Sequence, residues 1–503
     1  MLSARMWGIF LLVIIGLLVL GVYQINIYFR QKHKYWQKRG VFSPEVAPII
    51  GHFLDVFLCR QNIVEYIKQY YDKIDKPYFG LYVFDEPFFV VKDALLAKQI
   101  LVKDFNHFRD RNVASPDHNL IIQNFMFNQK SPTWKQDRSN LTPIFSPTKL
   151  KEMFPIIKTC GLNFMDYLKR CEGILDAKEA ASRFSTDIIS QCAFGIDSHN
   201  YEKDLSTFQK YGNKCFDLSF RNSFSQTIYV LKPQWVNKLK LEFLPTDASN
   251  YLCNIVLNTM KSRRDTERRN DVIDALKDMK ENNKFDDRDS DIAISGIVFQ
   301  FFLAGYESTS TTTAFVLYNL AKNIYIQEKL RNEIRCSLKK HGSLTYDAIM
   351  DIPYLDMCVD ESLRMYPVLP FYERKCNEDY HVPNSEVIIE KGKAVLIPSY
   401  AFHMDEKYFP NPNIFDPERF SHKIDHTNGI FYMPFGEGPR KCLGARLGKL
   451  TTKVAVLLTI INFEITPCDK TPDHIEFEPK SLVLQSKVGV PLMFKRFNIE
   501  ESL

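Results

Sequence analysis

The feature that most constrains this chain is an uncharged, apolar segment close to its amino terminus. Residues 6–29 contain no Asp, Glu, Lys or Arg. About 20 consecutive apolar residues are enough to cross a bilayer as a helix, because a helix satisfies its backbone hydrogen bonds internally. We therefore predict one transmembrane segment within residues 1–29. A cleaved signal peptide is the alternative, but the apolar run is longer than a usual h-region and no small-x-small site follows it.

The charges around this segment predict its orientation. Only Arg5 precedes it, whereas a basic cluster follows it: Arg30, Lys32, Lys34, Lys38 and Arg39. Basic residues that flank a membrane helix stay on the cytosolic side, so we expect the remainder of the chain to face the cytosol. The 11 Cys residues have no C-x-x-C spacing, which is typical of a reducing compartment. We predict a single-pass, signal-anchored protein of the endoplasmic reticulum membrane.

The rest of the chain is predicted to be a linker followed by one large domain. Residues 30–50 are basic and contain Pro44 and Pro48, which stiffen a linker, and residues 51–503 form the domain. Hydrophobic residues make up 45% of the chain and charged residues 25%, as in ordinary globular proteins. The net charge of +5 is too small to predict general nucleic-acid binding, so no such partner is expected. The 39 Phe and 24 Tyr residues indicate an aromatic interior or an apolar cavity.

Most of this domain has helical periodicity, and strand-like segments are few. Residues 78–84 and 88–92 are aromatic and β-branched on either side of a short turn, which predicts a hairpin. Further strand-like segments appear near residues 386–397 and beyond Phe477. The predicted fold class is therefore mainly α (α+β), a large helical domain with a small β-rich region.

One predicted helix, residues 292–322, is unusual because it is apolar on nearly all sides in its first half. Such a helix is expected to run through the middle of a domain. Its second half begins Ala304-Gly305-Tyr306-Glu307-Ser308-Thr309, small residues followed by an acid and hydroxyls. These residues suit a helix that approaches a flat ligand and lines a small wet pocket. Close packing against another helix with exposed hydroxyls is an equally open interpretation.

The sharpest local pattern surrounds Cys442. Residues 435–444 read F-G-E-G-P-R-K-C-L-G, so glycines on both sides permit a tight turn and the approach of a bulky planar group. A predicted helix at residues 445–461 places Cys442 near a helix amino terminus, which favours the thiolate. The thiolate could be a nucleophile, although no matching His is evident, or an axial metal ligand with Arg440 pairing an anionic cofactor edge. An inert buried Cys is the third interpretation.

These residues resemble a known family. Phe435, Gly438, Arg440, Cys442 and Gly444 match the haem-thiolate signature F-x-x-G-x-R-x-C-x-G of the cytochrome P-450 family. Its other motifs occur in the expected order: W-x-x-x-R at 134–138, the oxygen-binding helix at 304–309, E-x-x-R at 361–364 and P-E-R-F at 417–420. Residues 35–41 and 403–420 most resemble insect microsomal members that handle foreign compounds. The resemblance implies the cytochrome P-450 fold behind a single membrane helix.

The resemblance also implies roles for particular residues. Cys442 would be the axial thiolate ligand of the iron in haem b, and Phe435 would cover the sulfur. The other implied cofactor-binding residues are Trp134, Arg138, Arg374, Arg440 and Gly444, with Arg111 as a further candidate for the propionates. Glu361, Arg364 and Arg419 would form a buried structural network. Glu307, Ser308 and Thr309 would deliver protons during catalysis. The implied substrate pocket draws on Phe125, Phe127, Phe301, Phe302, Ala304, Leu369, Phe371 and Leu484.

The implied activity is monooxygenation, the insertion of one atom of O2 into a small lipophilic substrate. Xenobiotics such as plant toxins or insecticides are the expected substrates, with electrons from NADPH through a flavoprotein reductase and cytochrome b5 as a further donor. The expected docking surface for these donors is basic: Lys135, Lys149, Lys151, Lys441 and Lys449. The alternatives are a hydroxylase of an endogenous steroid or hormone, a haem-thiolate isomerase or dehydratase that needs no reductase, and a non-catalytic sequestration protein.

Two departures from the family pattern stand out. Ser308 occupies the position that usually holds Thr, and a Ser lacks the methyl group that restricts the hydroxyl rotamer. Thr309 is therefore a second candidate for proton delivery. The hinge at residues 43–48 also lacks the usual P-G-P, so its stiffness is not assured by sequence.

Overall fold

The computed structural model describes residues 2–202, 206–263, 268–285 and 288–497. Its helices in the first half of the chain are α1 Leu2–Lys32, α2 Leu54–Phe57, α3 Ile63–Lys73, α4 Ala94–Lys98, α5 Leu120–Gln123, α6 Thr133–Leu141, α7 Pro147–Arg170, α8 Ala177–Ala193, α9 Thr207–Cys215, α10 Phe220–Leu231 and α11 Gln234–Leu239. Those in the second half are α12 Thr246–Ser262, α13 Val272–Glu281, α14 Ser290–Lys322, α15 Ile324–His341, α16 Tyr346–Met350, α17 Pro353–Met365, α18 Ser399–His403 and α19 Ala445–Asn462.

The strands form three small sheets. They are β1 Tyr78–Val83, β2 Glu86–Val91, β3 Gly173–Asp176, β4 Tyr372–Lys375, β5 Tyr380–His381, β6 Ile388–Ile389, β7 Ala394–Ile397, β8 Phe463–Thr466 and β9 Pro491–Arg496. The largest sheet has the order β1-β2-β7-β4, and the others have the orders β3-β9-β8 and β5-β6. The β1–β2 hairpin pairs Phe79 with Val90, and β2 is parallel to β7. The predicted hairpin and the mainly helical fold class are therefore confirmed.

The centre of the domain is α14, which packs against α5, α8, α12, α17 and α19. Its hydroxyl-rich half is buried at little cost because the hydroxyls bond within the helix; for example, Ser310 Oγ donates to the Tyr306 carbonyl at 2.9 Å. Close packing is also present, since a Cβ at Gly305 would lie 2.3 Å from Ile189 Cδ1. The two interpretations of this helix thus apply to different faces, because Gly305 meets α8 whereas Ala304 is exposed.

The amino-terminal helix α1 stands apart from the core. Residues 6–39 have a mean hydropathy of 2.6 in their most apolar window, and none of that window is buried. The helix α14 is also long and apolar enough to cross a membrane, but 61% of its apolar window is buried inside the domain. A fully exposed apolar helix lacks the packing that stabilises helices in water, so α1 is a candidate membrane span and α14 is a core helix.

The segment predicted as a linker, residues 30–50, is docked on the domain along part of its length. Trp36 has no exposed surface, and its indole packs so closely on β1 that a Cβ at Gly80 would lie 2.1 Å from the ring. The backbone N–H of Trp36 donates to the Tyr82 hydroxyl at 2.9 Å. A Trp buried to this extent contributes several kcal/mol of apolar stabilisation, on the order of 3–5 by comparison with Trp deletions. The prolines therefore follow a fixed attachment point.

Candidate functional site

A tight loop carries Cys442 to the beginning of α19. Gly436 and Gly438 have φ values of 71° and 75°, which residues with a Cβ rarely adopt. At Gly438 a Cβ would also lie 1.9 Å from the carbonyl oxygen of Leu101. The Cys442 N–H donates to the Phe435 carbonyl at 2.8 Å and closes the loop. The glycine spacing in the sequence thus corresponds to a loop that only glycine can form at these positions.

The thiol of Cys442 is surrounded by protein and still accessible. Burial dominates and raises the pKa of this thiol, although the hydrogen bond from the Gly444 backbone and the charges of Arg138 and Arg111 offset part of the rise. The residue is nevertheless exposed, so its sulfur borders a space inside the fold. A Cβ added at Gly444 or at Gly448, one helical turn later, would meet no atom within 4 Å. The beginning of α19 therefore leaves an open surface beside the sulfur.

A second exposed surface lies on α14. Ala304 is exposed and Ser308 half-buried, although both lie in the middle of a mostly buried helix. Four residues make about one turn, so Ala304 and Ser308 share one face. Thr309 is only 7% exposed, and Phe302 and Tyr306 are buried on the opposite face. Because the side chain of Ala304 is small, accessible space remains beside α14 at this position.

Arg111 connects the surroundings of Cys442 to this face of α14. Its guanidinium lies over the Phe127 ring at 4.0 Å, and the Phe127 N–H donates to Gln300 Oε1 at 2.9 Å. Gln300 lies one turn before Ala304 on the same face. The charge of Arg111 also acts on the Cys442 thiol. We therefore interpret the two exposed surfaces as walls of one internal cavity.

The edge of this cavity contains more arginines than carboxylates that pair with them. Arg374 is 1% exposed and its Nη1 donates to the Glu373 carbonyl at 2.8 Å, but its Nε has no hydrogen-bond partner among the described residues. Burial together with Arg111 lowers its pKa to about 9. Burial, Arg111 and Arg374 lower the pKa of Arg440 to about 8. Glu373 pairs with Arg111 at 3.2 Å. Because buried cations need counter-charges, this edge favours an anionic ligand.

Trp134 and Arg138 border the same region from α6. The Arg440 guanidinium lies over the Trp134 ring at 3.9 Å, and the Phe105 ring packs against Trp134 at 5.7 Å in a tilted arrangement. Arg440 itself donates to three backbone carbonyls, those of Arg109, Met126 and Gln129. In the described part of the chain, the Arg138 guanidinium makes no direct hydrogen bond or ion pair, and burial lowers its pKa. Arg138 and Arg374 are therefore the arginines whose donors remain available.

The residues around the cavity fit the haem that the resemblance implies. One side offers the Cys442 sulfur next to glycines, and the other offers a helix face on which the side chain is only that of Ala304. The edge offers the Arg138 guanidinium and the Arg374 Nε, which have no hydrogen-bond partner among the described residues. A flat macrocycle with an iron ion and two carboxylates matches this donor set, because guanidinium pairs carboxylates bidentately and thiolate ligates iron. The described residues contain no cluster of three or more His, Cys, Asp or Glu that would hold a separate metal ion.

The three predicted proton-delivery residues differ in their surroundings. Glu307 is 4% exposed, accepts a hydrogen bond from Thr311 Oγ1 at 3.0 Å, and lies 3.0 Å from Lys178 Nζ on α8. Ser308 shares the cavity face with Ala304, and its hydroxyl donates to the Ala304 carbonyl. Thr309 lies about 100° around α14 from Ser308 and is only 7% exposed. The geometry thus brings Ser308 to the cavity and holds Glu307 beside it in an ion pair.

The predicted structural network is present in the core. Glu361 and Arg364 have no exposed side-chain surface and form a bidentate pair, with Arg364 Nε donating to Oε2 at 2.7 Å and Nη2 to Oε1 at 2.9 Å. Arg419 Nε lies 3.4 Å from Glu361 Oε1, which also accepts from the Asp416 N–H at 3.0 Å. Arg364 additionally donates to the His403 and Pro412 carbonyls. The network therefore joins α17 to the segment that leads into the Cys442 loop.

The buried imidazole of His403 lies next to this network, and from it we predict that the free energy of unfolding depends on pH. Burial and the charge of Arg364 lower its pKa from 6.5 to about 3, and its Nε2 accepts the Met433 N–H at 2.9 Å. Burial likewise lowers the pKa of His52 to about 4. The unfolded chain binds these protons and the folded chain does not, so the stability present above pH 6.5 falls as pH drops below that value. The slope is about 1.4 kcal/mol per pH unit for each proton.

We expect His403→Gln to flatten this slope, because Gln keeps an acceptor and takes up no proton. The measurement is urea unfolding of the detergent-solubilised protein at pH 7.5, 6 and 5. His474→Gln is the matched control, since His474 is exposed, and it should keep the wild-type slope. An unchanged slope in His403→Gln would contradict the neutral, buried state of this imidazole.

The predicted substrate pocket is only partly assembled around the cavity. Ala304 is exposed, and Phe127, Phe301 and Leu369 keep some accessible surface. Phe125 and Phe371 are 3% and 7% exposed. Phe302 and Leu484 have no accessible surface, and Phe302 packs among Phe194, Phe208 and Tyr306. These last two residues therefore border no accessible space in the structure, Phe302 because it lies about 100° around α14 from Phe301. Their role in the pocket stays a prediction.

Three functional neighbours were missed from the sequence. Lys178 pairs with Glu307 and donates to Ser310 Oγ at 2.8 Å, Glu373 pairs with Arg111, and His403 fixes the Met433 amide. Lys178 and Glu307 lie on helices α8 and α14, 129 positions apart. No local pattern marks such partners, since each depends on how distant helices pack. Glu373 was adjacent to a predicted residue, Arg374, but strand alternation alone does not identify its partner.

Comparisons with known proteins agree with this geometry. The cytochrome P450 family model matches residues 42–493. Cytochrome P450 6k1 of Blattella germanica is 32% identical over 515 aligned residues, which cover 98% of each chain. Cytochrome P450 6j1 of the same species is 36% identical over 94% of this chain and 96% of its own. Cytochrome P450 6a2 of Drosophila melanogaster is 34% identical over 97% and 99%.

Proposed function

The chain belongs to the cytochrome P450 family and is a monooxygenase of that family; from this premise we propose that it oxidises small lipophilic xenobiotics at the endoplasmic reticulum membrane. The observation that carries the proposal is the accessible surface kept by Cys442 and by Ala304 inside the domain, together with the Arg138 guanidinium and the Arg374 Nε, which have no hydrogen-bond partner among the described residues. The proposed organisation is an anchor at residues 1–29, a basic linker at 30–50 and a catalytic domain at 51–503.

When bound, haem b supplies the redox chemistry that reduces O2 with two electrons and two protons and places one oxygen atom in a substrate C–H bond. The protein holds this group through its own residues. Cys442 would offer the thiolate, and the Gly444 backbone hydrogen bond and the charges of Arg138 and Arg111 favour this charged form against the burial that raises the pKa of the thiol. Arg374 and Arg138 offer donors for the two carboxylates, with Trp134 and Arg440 beside them. Phe435 and Gly444 flank the sulfur in the loop.

The proton path runs through the face of α14 beside the cavity. Ser308 Oγ holds a proton at the cavity wall, and its present acceptor is the Ala304 carbonyl. Rotation about χ1 turns this hydroxyl towards the cavity, because Ser lacks the methyl group that would restrict it. Glu307, one position earlier, can pass a proton on to Ser308 once its carboxylate has taken one up from Lys178 Nζ, which lies 3.0 Å from Glu307 Oε1. The rate of such a proton transfer depends both on the positions of the donor and acceptor groups and on their pKa values.

We expect Ser308→Ala to uncouple the reaction. Hydrogen peroxide released per NADPH should rise, and product formation should fall by roughly 10-fold or more, a modest share of the 100-fold to 10,000-fold that positioned proton transfer contributes. The measurement compares peroxide, product and NADPH in the reconstituted enzyme. Thr309→Ala is the comparison and should retain coupling, since Thr309 is only 7% exposed and is rotated by about 100° from Ser308 on α14. Unchanged coupling in Ser308→Ala would exclude Ser308 from this role.

The electron donors proposed are a membrane-bound flavoprotein reductase and cytochrome b5. Four of the lysines expected on their docking surface are paired within the chain: Lys149 with Glu152, Lys151 with Asp347, Lys441 with Glu437 and Lys449 with Asp360. Lys135 is exposed and lines a cavity of about 610 Å³ with Arg109 and Arg138. The docking proposal therefore rests mainly on this cationic surface near the Cys442 loop, where an acidic partner would be attracted.

The proposed membrane topology is a single span with the domain on the cytosolic side. It is supported by the exposed apolar helix α1 and by the basic residues at its end, including Arg30 and Lys32. The proposed substrate class is supported by the apolar residues that keep accessible surface near the cavity, Phe127, Phe301 and Leu369. A lipophilic compound dissolved in the bilayer would then be close to the domain that oxidises it.

The test is turnover in vesicles with the reductase, NADPH and a panel of lipophilic plant toxins, insecticides and steroids. NADPH-dependent loss of the toxins or insecticides with a product heavier by one oxygen atom is the expected result. Oxidation of steroids alone would favour the endogenous hydroxylase. Product without NADPH would favour an isomerase or dehydratase, and binding without product would favour sequestration. Each of these three results would contradict the proposed function.

A further inference from the structure

The end of the membrane helix is joined to the catalytic domain through one carboxylate. The hydroxyl of Tyr28, in the last turns of α1, donates to Asp85 Oδ2 at 2.9 Å. Asp85 lies in the turn between β1 and β2. Its other oxygen, Oδ1, accepts from Lys232 Nζ at 2.5 Å. Lys232 follows α10, so a single side chain links the anchor, the sheet and the helices α10 and α11. We call these three residues the anchor junction.

The surroundings of the anchor junction make it stronger than an ordinary surface pair. The Lys232 side chain is only 5% exposed and also lies 3.5 Å from Glu86 Oε2. Burial by itself would raise the pKa of Asp85, but the hydrogen bonds and charge of Lys232, together with Tyr28, lower it. The carboxylate is therefore charged at neutral pH. Removing the partner of a buried lysine costs much more folding free energy than removing the partner of an exposed lysine.

A second contact and a chain of aromatic rings extend the junction. The ring of His33, just beyond α1, hydrogen-bonds the Phe84 carbonyl through Nε2 at 2.8 Å. Phe84 contacts Trp235 of α11 at 4.5 Å and Phe57 of α2 at 5.0 Å, and Phe57 contacts Phe224 of α10 at 6.0 Å. The turn that receives the anchor is thus packed against α11 and α2, and through Phe57 it is connected to α10.

The surface next to this ring chain is apolar and exposed. Its members are Ile49 at 40% exposure, Leu58 at 41%, Phe220 at 53% and Leu239 at 58%. Lys238 and Lys240 flank Leu239 and are exposed. Ile50, beside Ile49, accepts the Phe84 N–H at 2.9 Å, so this surface is continuous with the anchor junction. Apolar residues between lysines suit the boundary between acyl chains and headgroups.

The same helices cover the cavity. The backbone N–H of Ala114 donates to the Tyr229 carbonyl on α10 at 2.9 Å, and Asn112 Nδ2 donates to the Val230 carbonyl at 3.3 Å. The chain that begins at Asn112 continues to Phe127, which bonds Gln300 on the cavity face of α14. The end of α10 therefore belongs both to the anchor junction and to the cover of the cavity.

We propose that the anchor junction fixes the tilt of the catalytic domain on the membrane, so that the surface formed by Ile49, Leu58, Phe220 and Leu239 lies in the lipid. The anchor junction thereby determines how α10 and residues 112–127, which cover the cavity, are placed relative to the bilayer. This proposal rests on the proposed membrane insertion of α1. It assigns the orientation to a defined set of hydrogen bonds rather than to the apolar surface alone.

The test uses the full-length holoprotein in oriented lipid bilayers, with the tilt of the haem plane measured by linear dichroism. Tyr28→Phe removes one hydroxyl and Lys232→Met removes the other donor, while both keep most of the side-chain volume. Each is expected to shift the mean angle by roughly 10–20°, the scale over which membrane-embedded elements tilt. The double variant should shift it no further than the larger single shift, because both donors act through Asp85.

The matched control is Tyr23→Phe, since Tyr23 lies on α1, is 62% exposed and has no hydrogen-bond partner among the described residues. It should keep the wild-type angle. A wild-type angle in Tyr28→Phe and Lys232→Met, with the protein still resisting alkaline extraction from the membrane, would overturn the anchor junction alone. Release of the wild-type protein by that extraction would overturn the proposed membrane insertion and the junction with it.

Discussion

Glu361→Ala is expected to prevent the accumulation of folded haem protein. The substitution removes the carboxylate that receives two hydrogen bonds from Arg364 and one from the Asp416 amide, in a site with no exposed side-chain surface. Arg364 would remain buried without its partner. Breaking a buried pair in this way costs about 3–5 kcal/mol, a large share of the roughly 5–15 kcal/mol that stabilises a folded domain.

The loss should extend to the haem site because the network holds the segment that precedes the Cys442 loop. Haem content per polypeptide and resistance to limited proteolysis are the measurements. Glu418→Ala is the matched control, since Glu418 pairs with Lys329 in the same region at 52% exposure. An exposed pair is worth about 0–1 kcal/mol, so this variant should bind haem normally. Stoichiometric haem with intact spectra in Glu361→Ala would contradict a stabilising role for the network.

Cys442→Ala is expected to abolish NADPH-driven product formation while leaving the fold intact. Cys442 is exposed, so shortening its side chain to Ala leaves no enclosed void in the core. Loss of an axial ligand should exceed the roughly 10-fold to 100-fold that loss of an outer partner of a metal site costs. Turnover in reconstituted vesicles and circular dichroism of the same preparation are the measurements.

Cys336→Ala serves as the control for cysteine removal. Cys336 is exposed on α15, and its replacement should leave turnover at the wild-type level. Retention of NADPH-driven product formation in Cys442→Ala would place the functional ligand elsewhere. Equal loss in both variants would indicate an effect of cysteine removal in general, which the account does not predict.

Much of the architecture was predictable because it follows from local patterns. The aromatic and β-branched residues on either side of Asp85 predict the hairpin that pairs Phe79 with Val90. Apolar residues on all sides predict that α14 is central, and it extends from Ser290 to Lys322 against a predicted 292–322. The helix predicted at 445–461 is observed as Ala445–Asn462. Each of these features depends on residues close together in the sequence.

The composition of the cavity wall was less predictable. Phe301 and Phe302 are equally apolar neighbours, yet Phe301 keeps accessible surface and Phe302 is buried among other rings. The difference is a rotation of about 100° around α14, which the all-round apolar pattern cannot resolve. The Glu307–Lys178 pair and the burial of Trp36 depend on tertiary packing between distant segments. The sequence also could not distinguish Ser308 from Thr309. In the structure Ser308 follows the exposed Ala304 by one helical turn and is half-buried, whereas Thr309 is 7% exposed.

The measurement that most directly tests the central claim is the carbon-monoxide difference spectrum of the reduced protein in membranes, recorded beside Cys442→His. The claim is that the sulfur beside the cavity is the axial ligand of haem iron. The account predicts a strongly red-shifted Soret band in the wild type that is lost in the variant. A band at the shorter wavelength typical of histidine ligation in both proteins, or no haem in well-folded wild-type protein, would contradict it.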